Sequence, residues 1–293
     1  MPIGGFLSVY TGCSEWNREY ALREEIVRIG HLMYERGYVV ANDGNLSVRL
    51  NESHVLCTPS GLCKGMMSPD QMIIVDMEGR KVGQATAANR DLVPTSEVFM
   101  HLEAYRQRPD IQAVVHAHPP ITVALSIAGI SLANCVLPEV IVNVGLIPTT
   151  QYATPASLEN VSAIRELIVG HDGIVLQRHG VLTVGKCLLE AYMRLEAIEQ
   201  IAKITVILEQ LGRGEPLPPA QVEKLLEQRR KMGLARPGEE VEFCRICGVC
   251  PVQGSSAEPP RTGESSSETD ADAQAELVRV VTRAVLRELG YSG

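Results

Sequence analysis

The sequence predicts an α/β protein in which helices cover both faces of a sheet. Two observations carry that expectation. Short apolar runs at strand period alternate with longer segments at helical period, and several strands follow one another through short turns, as hairpins do. A hydrophobic content of 45% is enough to fill a core between such layers.

Leu22, Ile26, Ile29 and Met33 recur at helical spacing, and Gly37 supplies a stop. Leu46, Val48 and Leu50 alternate, and a short apolar run follows the Asn51-Glu52-Ser53 turn, which predicts a hairpin. Residues 72–75 and 113–115 read as buried strands. Residues 96–106 read as a helix, with Pro94 just ahead of it. Residues 174–176 and 181–184 predict a second strand pair, and residues 188–211 a long helix closed by Gly212 and Gly214. Residues 1–234 therefore form the expected domain. Residues 235–274 are rich in Gly, Ser, Pro and acids and are expected to be a flexible linker. Residues 275–293 return to a helical period.

A net charge of −8 argues against a nucleic-acid binder, which needs a basic face. No apolar run approaches the roughly 20 residues that span a bilayer. Residues 1–11 are uncharged and make a poor secretion signal. Most of the 8 cysteines are scattered through apolar stretches, as buried thiols of a cytoplasmic protein would be.

His116-Ala117-His118 closes an apolar strand. Strand residues two apart share a face, so the two imidazoles form half of a metal site or are ordinary strand-end histidines. His179, in Gln177-Arg178-His179-Gly180, offers a third ligand after another apolar strand. Three imidazoles would leave zinc one open position for substrate, the pattern of a catalytic centre. His31, His54, His101 and His171 read as surface or core residues. Glu97, at a helix start after Pro94-Thr95-Ser96, suits either a helix-capping acid or a proton carrier. Gly44-Asn45 before a strand and Thr58-Pro59-Ser60-Gly61 after one are turns of the kind that cradle phosphate.

Gly44-Asn45-Leu46-Ser47-Val48-Arg49, Thr58-Pro59-Ser60-Gly61, Thr95-Ser96-Glu97, Val115-His116-Ala117-His118, Tyr152-Ala153-Thr154 and Gln177-Arg178-His179-Gly180 occur in one order. Together they resemble the class II aldolase and adducin family over about residues 18–234, and within it the fuculose-phosphate aldolases. The resemblance implies a three-layer α/β/α domain with a central, mostly antiparallel sheet. It also implies a homotetramer with active sites at the subunit interfaces. It assigns one zinc per subunit to His116, His118 and His179, and acid/base work to Glu97. Phosphate binding falls to Gly44, Asn45, Ser60, Gly61, Thr95 and Ser96, while Tyr152 reaches into a neighbouring subunit's site. The implied reaction is retro-aldol cleavage of L-fuculose 1-phosphate or L-rhamnulose 1-phosphate to dihydroxyacetone phosphate and L-lactaldehyde. Met232 stands where family members often carry a tyrosine before Gly-Leu, and Thr95 replaces a serine with its hydroxyl kept. A sugar-phosphate 4-epimerase would resemble this pattern with Asp at position 97, and a dehydratase shares the fold. An adducin-like interaction module would have no use for the histidines.

Two features lie outside that resemblance. Cys244-Arg245-Ile246-Cys247-Gly248-Val249-Cys250 is a C-x2-C-x2-C run followed by Pro251. It can supply three ligands to zinc or to an iron–sulfur cluster, or be a chance group of thiols. In the tail, Leu277, Val281, Val285 and Leu289 form an apolar stripe opposite Glu276, Arg279, Arg283 and Arg287. Such a helix after a polar linker resembles the encapsulation peptides of bacterial microcompartments. That implies docking on a shell protein, whereas the acids and the lack of Trp or Phe anchors argue against a membrane.

Overall fold

A computed structural model describes residues 15–249. The expected helix over 275–293, the later part of the linker and Cys250 lie outside the described residues.

The chain opens with α1 (Glu15–Glu35), whose Ile26, Ile29 and Met33 are fully buried. The hairpin of β1 (Asn45–Arg49) and β2 (His54–Cys57) follows, then β3 (Ile73–Asp76) and the short β4 (Lys81–Val82). After α2 (Val98–Gln107) come β5 (Ala113–Ala117), α3 (Pro120–Ala128), α4 (Pro138–Asn143), α5 (Leu158–Arg165) and α6 (Leu167–Gly170). The strand pair β6 (Gly173–Leu176) and β7 (Gly180–Gly185) leads into α7 (Leu188–Leu211), α8 (Pro219–Lys231) and α9 (Glu239–Cys247). The seven strands form one sheet in the order β4-β3-β2-β1-β5-β7-β6, and every neighbouring pair is antiparallel.

Strand alternation sorts the core into two layers. Leu46, Val48, Val115 and Val181 pack with α1, α3 and α7 on one face. Val55, Ile73, Val114, Leu182 and Val184 pack with α2, α5 and α6 on the other. Each fully buried aliphatic side chain contributes roughly 1.5–3 kcal/mol. The expected three-layer arrangement is present.

The linker, expected from residue 235, does not begin there. Residues Glu239–Cys247 form α9, and Phe243 is fully buried with Val222, Leu226 and Ile141 of α8 and α4. The segment reads as polar because its partners are remote in sequence. Arg229 is buried and pairs with Glu239 at 3.0 Å, while Glu242 meets His171 at 2.7 Å. Arg236 Nη2 reaches Asp172 at 2.8 Å. Asp172 is wholly buried and also pairs with Arg108 (2.9 Å) and Arg194 (3.0 Å). Burial pushes its carboxyl up, but Arg194, Arg236 and Arg108 outweigh that and hold it below the usual carboxylate range. The thiol expectation is met by buried Cys57, but Cys135 and Cys247 are joined in a disulfide and Cys187 is exposed.

Replacing Asp172 by Ala leaves three guanidinium groups without their shared carboxylate, so unfolding stability is expected to fall by about 3–5 kcal/mol. Urea denaturation measures this, and an unchanged midpoint would show that the cluster holds nothing together.

Candidate active site

The site forms where β1, β5 and the β6–β7 turn meet. The β1–β5 register sets Asn45 opposite His116, and the β5–β7 register sets Ala117 opposite Val181. His116 closes on the face toward α2. His118 follows just past the strand end, its N–H held by the Tyr38 carbonyl at 2.9 Å. His179 sits in the tight turn, its backbone N–H bonded to the Leu176 carbonyl at 3.0 Å. Arg178 beside it adopts a left-handed conformation (φ 60°), which costs a non-glycine residue roughly 1–2 kcal/mol and aims the turn.

The three rings lie with centroids 4.7–4.9 Å apart. Donor atoms of Glu97, His116, His118 and His179 all fall within 4.8 Å of one another. His116 Nδ1 donates to the Val181 carbonyl at 3.0 Å, and His118 Nδ1 lies 3.3 Å from Asp43 Oδ2. Those partners occupy each Nδ1 and turn the two Nε2 atoms toward each other at 3.0 Å. A shared proton or a bound cation satisfies both nitrogens at that distance. Burial, then the charge of His116, pulls the pKa of His118 and of His179 down to about 4, so both are neutral ligands at neutral pH. For His116, burial favours the neutral ring, but Glu97 and the Val181 carbonyl raise it overall. For Glu97, burial pushes up and the His116 and His179 rings with the Asn45 amide hold it far below the usual range. Glu97 Oε1 and His179 Nδ1 are buried and lack hydrogen-bond partners. All of this fits a divalent cation bound by nitrogen ligands.

Glu97 occupies the N-cap position of α2 without capping it. Its Oε2 instead accepts from Asn45 Nδ2 at 2.9 Å. Asn45 Oδ1 therefore accepts from His101 Nε2 at 2.6 Å. His101 Nδ1 then accepts from the Ser47 hydroxyl at 2.7 Å, and Ser47 from the Tyr105 hydroxyl at 2.9 Å. His101, read from sequence as a bland helix residue, is a fully buried support of the site. Burial, then His116, lowers its pKa to about 3 and keeps it neutral.

The loops expected to hold phosphate are zipped together by backbone bonds. Ser60 N–H donates to the Val93 carbonyl (2.9 Å), and Thr95 N–H to the Thr58 carbonyl (3.2 Å). The Ser60 amide is thus committed within the protein, leaving its exposed hydroxyl for a ligand. Gly44, Asn45, Ser60, Gly61, Thr95 and Ser96 line one cavity of ≈ 220 Å³ with Glu97, His118 and His179. Lys64 lines it too, a residue the sequence reading passed over. Its ammonium is tied to the Asn42 and Leu62 carbonyls, and burial draws its pKa down to about 8. Its place just beyond Ser60-Gly61 was the available cue. Asp43, which orients His118, was also missed. Tyr152 is exposed and does not line the cavity of its own chain, and Met232 is exposed at the end of α8.

The model of the Class II Aldolase and Adducin N-terminal domain matches residues 24–206, most of the body and the whole histidine site. The chain belongs to this family. An L-fuculose phosphate aldolase of Methanococcus maripaludis is 35% identical over 188 residues, covering 63% of this chain and 96% of the relative. A 3-oxo-tetronate 4-phosphate decarboxylase of Escherichia coli is 32% identical over 194 residues, covering 65% and 88%. A solved L-fuculose 1-phosphate aldolase superposes with a TM-score of 0.65 at 26% identity, covering 72% of this chain and 96% of that one. Class II aldolases are metal-dependent, and the His/Glu cluster here is one that can hold a metal. Among the described residues, no helix is long and apolar enough to cross a membrane.

Two glycines let the site close. A Cβ at Gly44 (φ 71°) would stand 2.5 Å from Val39 Cγ1 and 2.9 Å from the His116 carbonyl oxygen. One at Gly180 would meet the Ala117 carbonyl oxygen, with His118 at 2.8 Å and His116 at 3.0 Å. Gly180→Ala is therefore expected to lower bound divalent metal nearly as much as His118→Ala, with circular dichroism unchanged. Metal analysis of both purified variants tests this, and full occupancy in Gly180→Ala would show that the backbone yields instead.

Proposed function

We propose that the chain is a zinc-dependent lyase that splits L-fuculose 1-phosphate or L-rhamnulose 1-phosphate into dihydroxyacetone phosphate and L-lactaldehyde. One observation carries this reading. His118, His179, Glu97 and the Ser60-Gly61 and Thr95-Ser96 loops open on a single cavity, with His116 buried just behind it, so one small phosphorylated molecule can reach the lining groups together. The identity to an L-fuculose phosphate aldolase supports the same substrate class.

One zinc per chain on His116, His118 and His179 would supply Lewis-acid polarisation of the substrate carbonyl. The protein does the rest. Ser60, Gly61, Thr95, Ser96 and the Asn45 amide hold the phosphate, with Lys64 as counter-charge, and so fix the reacting carbons. The hydroxyl on the far side of the scissile carbon–carbon bond loses its proton and becomes the aldehyde carbonyl. The electron pair of the broken bond stays on the phosphate half as an enediolate. Glu97, ionised at rest, takes up the proton released by that hydroxyl and delivers it to the enediolate carbon, so it is a carboxylate again for the next turnover.

The identity to a 3-oxo-tetronate 4-phosphate decarboxylase favours a second reading. It leaves an electron pair in the same position but releases carbon dioxide in place of an aldehyde. Both leave dihydroxyacetone phosphate, so the substrate that yields it and the release of carbon dioxide separate the two. Dihydroxyacetone phosphate is expected from one of the two sugars. Carbon dioxide from 3-oxo-tetronate 4-phosphate, with no cleavage of either sugar, would replace the first reading. Glu97→Gln is expected to keep metal and slow turnover by roughly 10²–10⁴-fold. Near-normal turnover would remove Glu97 from the proton transfer.

The same proposal extends to a cytoplasmic homotetramer in which Tyr152 completes a neighbouring subunit's site. Residues 275–293 would dock on a microcompartment shell protein and keep the reactive aldehyde confined. Residues 271–293 fused to a fluorescent protein are expected to form puncta with co-expressed shell proteins, and diffuse fluorescence would exclude the targeting role.

A further inference from the structure

Two polar rows face each other between the sheet and α2. On β1, Asn45 and Ser47 stand two residues apart and so share one face of the strand. On α2, His101 and Tyr105 stand four residues apart on one helix face, and Glu97 at the N-cap continues that row. Four helical residues advance roughly 6 Å and two strand residues roughly 6.7 Å, so the rows mesh. Across the seam the order is Glu97, Asn45, His101, Ser47, Tyr105, with contacts of 2.9, 2.6, 2.7 and 2.9 Å. Arg49, next along the same strand face, closes the far end. Its guanidinium stands 4.8 Å from the centre of the Tyr105 ring and donates to the Tyr105 carbonyl at 2.6 Å. Ser47, His101 and Tyr105 are buried, so the partners of their polar atoms must come from this seam.

Counting protons sets the direction of each bond. Glu97 is ionised and can only accept, so Asn45 turns its NH2 group toward it. Asn45 Oδ1 is then an acceptor, and the Nε2–H form of His101 supplies its donor. His101 is neutral, so its Nδ1 carries no proton and accepts from the Ser47 hydroxyl. Asn45 Nδ2 has a second hydrogen. No acceptor for it exists among the described residues, and Asn45 lines the cavity shared by Ser60 and Thr95.

We infer that His101 is a positioning residue of the reaction: from behind Asn45, it holds the amide so that one N–H meets the Glu97 carboxylate and the other faces the substrate phosphate. The inference rests on the lyase reading for the work assigned to Glu97 and to the phosphate. An amide turned over would set its oxygen against two anions at once. The opposite tautomer of His101, with its proton on Nδ1, would favour that wrong orientation. A hydrogen bond to a charged group is worth roughly 10–100-fold in affinity, so the restraint matters to binding as well as to turnover.

The test compares the metal-loaded chain with His101→Leu, which removes the donor, and His101→Gln, which keeps one. Calorimetric titration with dihydroxyacetone phosphate, the fragment both lyase readings leave, is expected to show roughly 10–100-fold weaker binding in His101→Leu, with metal content unchanged. With sugar phosphate, KM is expected to rise and kcat to fall together, and His101→Gln to recover most of both. A merely structural role would lower the melting temperature while leaving affinity, KM and kcat of the folded variants unchanged, and that result would overturn the proposal. Equal losses in Gln and Leu would reduce His101 to a filler of space and overturn it too. If His101→Leu fails to fold, nitrogen NMR of the unmodified chain still decides. The His101 ring is expected as the Nε2–H tautomer with and without dihydroxyacetone phosphate, and a proton on Nδ1 would overturn the proposal. Failure to cleave either sugar would remove the lyase reading and leave the tautomer and the binding comparison standing.

Discussion

Four donor groups converge within 4.8 Å of one another, and positive charge among them offsets what their crowding and partial burial cost. That constraint organises the surrounding structure. The Val181 carbonyl and Asp43 turn two rings so that their Nε2 atoms converge. Glu97 stays ionised against the pull of burial because the rings beside it carry or share positive charge. Gly44 and Gly180 are small because the loops must cross within van der Waals distance of the same histidines. The antiparallel pairing of β5 with both β1 and β7 is what brings these pieces to one end of the sheet.

Much of this was legible in the sequence, for a physical reason. Strand alternation is local, so His116 and His118 could be placed on one face, whereas His179 was joined to them only by the family resemblance. The same local signals gave α7 and the 173–185 strand pair nearly to the residue, and the buried face of α1 but not its start. Glu97 showed both sides of its ambiguity: a helix-start position suited capping, yet its carboxylate turns inward to Asn45 and His116.

What was not legible depended on partners far away along the chain. The acids of α9 read as linker because their partners, Arg229 and His171, lie on other elements. His101 read as an ordinary helical residue because its role requires Asn45, 56 positions earlier. Lys64 gave no pattern of its own, and its cavity exists only once two loops have zipped together. Cys135 is a lone apolar thiol until α9 folds back beside it.

The chain of hydrogen bonds from Tyr105 through Ser47, His101 and Asn45 has one direction, and it ends on a single oxygen of Glu97. The two carboxylate oxygens are therefore inequivalent. Oε2 is anchored as an acceptor, while Oε1 is buried and unpartnered. In the proposed reaction, a proton carried by Glu97 would ride on Oε1, which lies 3.4 Å from His179 Nε2, and would arrive from one fixed side. Which face of a carbon that proton would reach is then written into a buried relay of neutral side chains that lies behind the cavity.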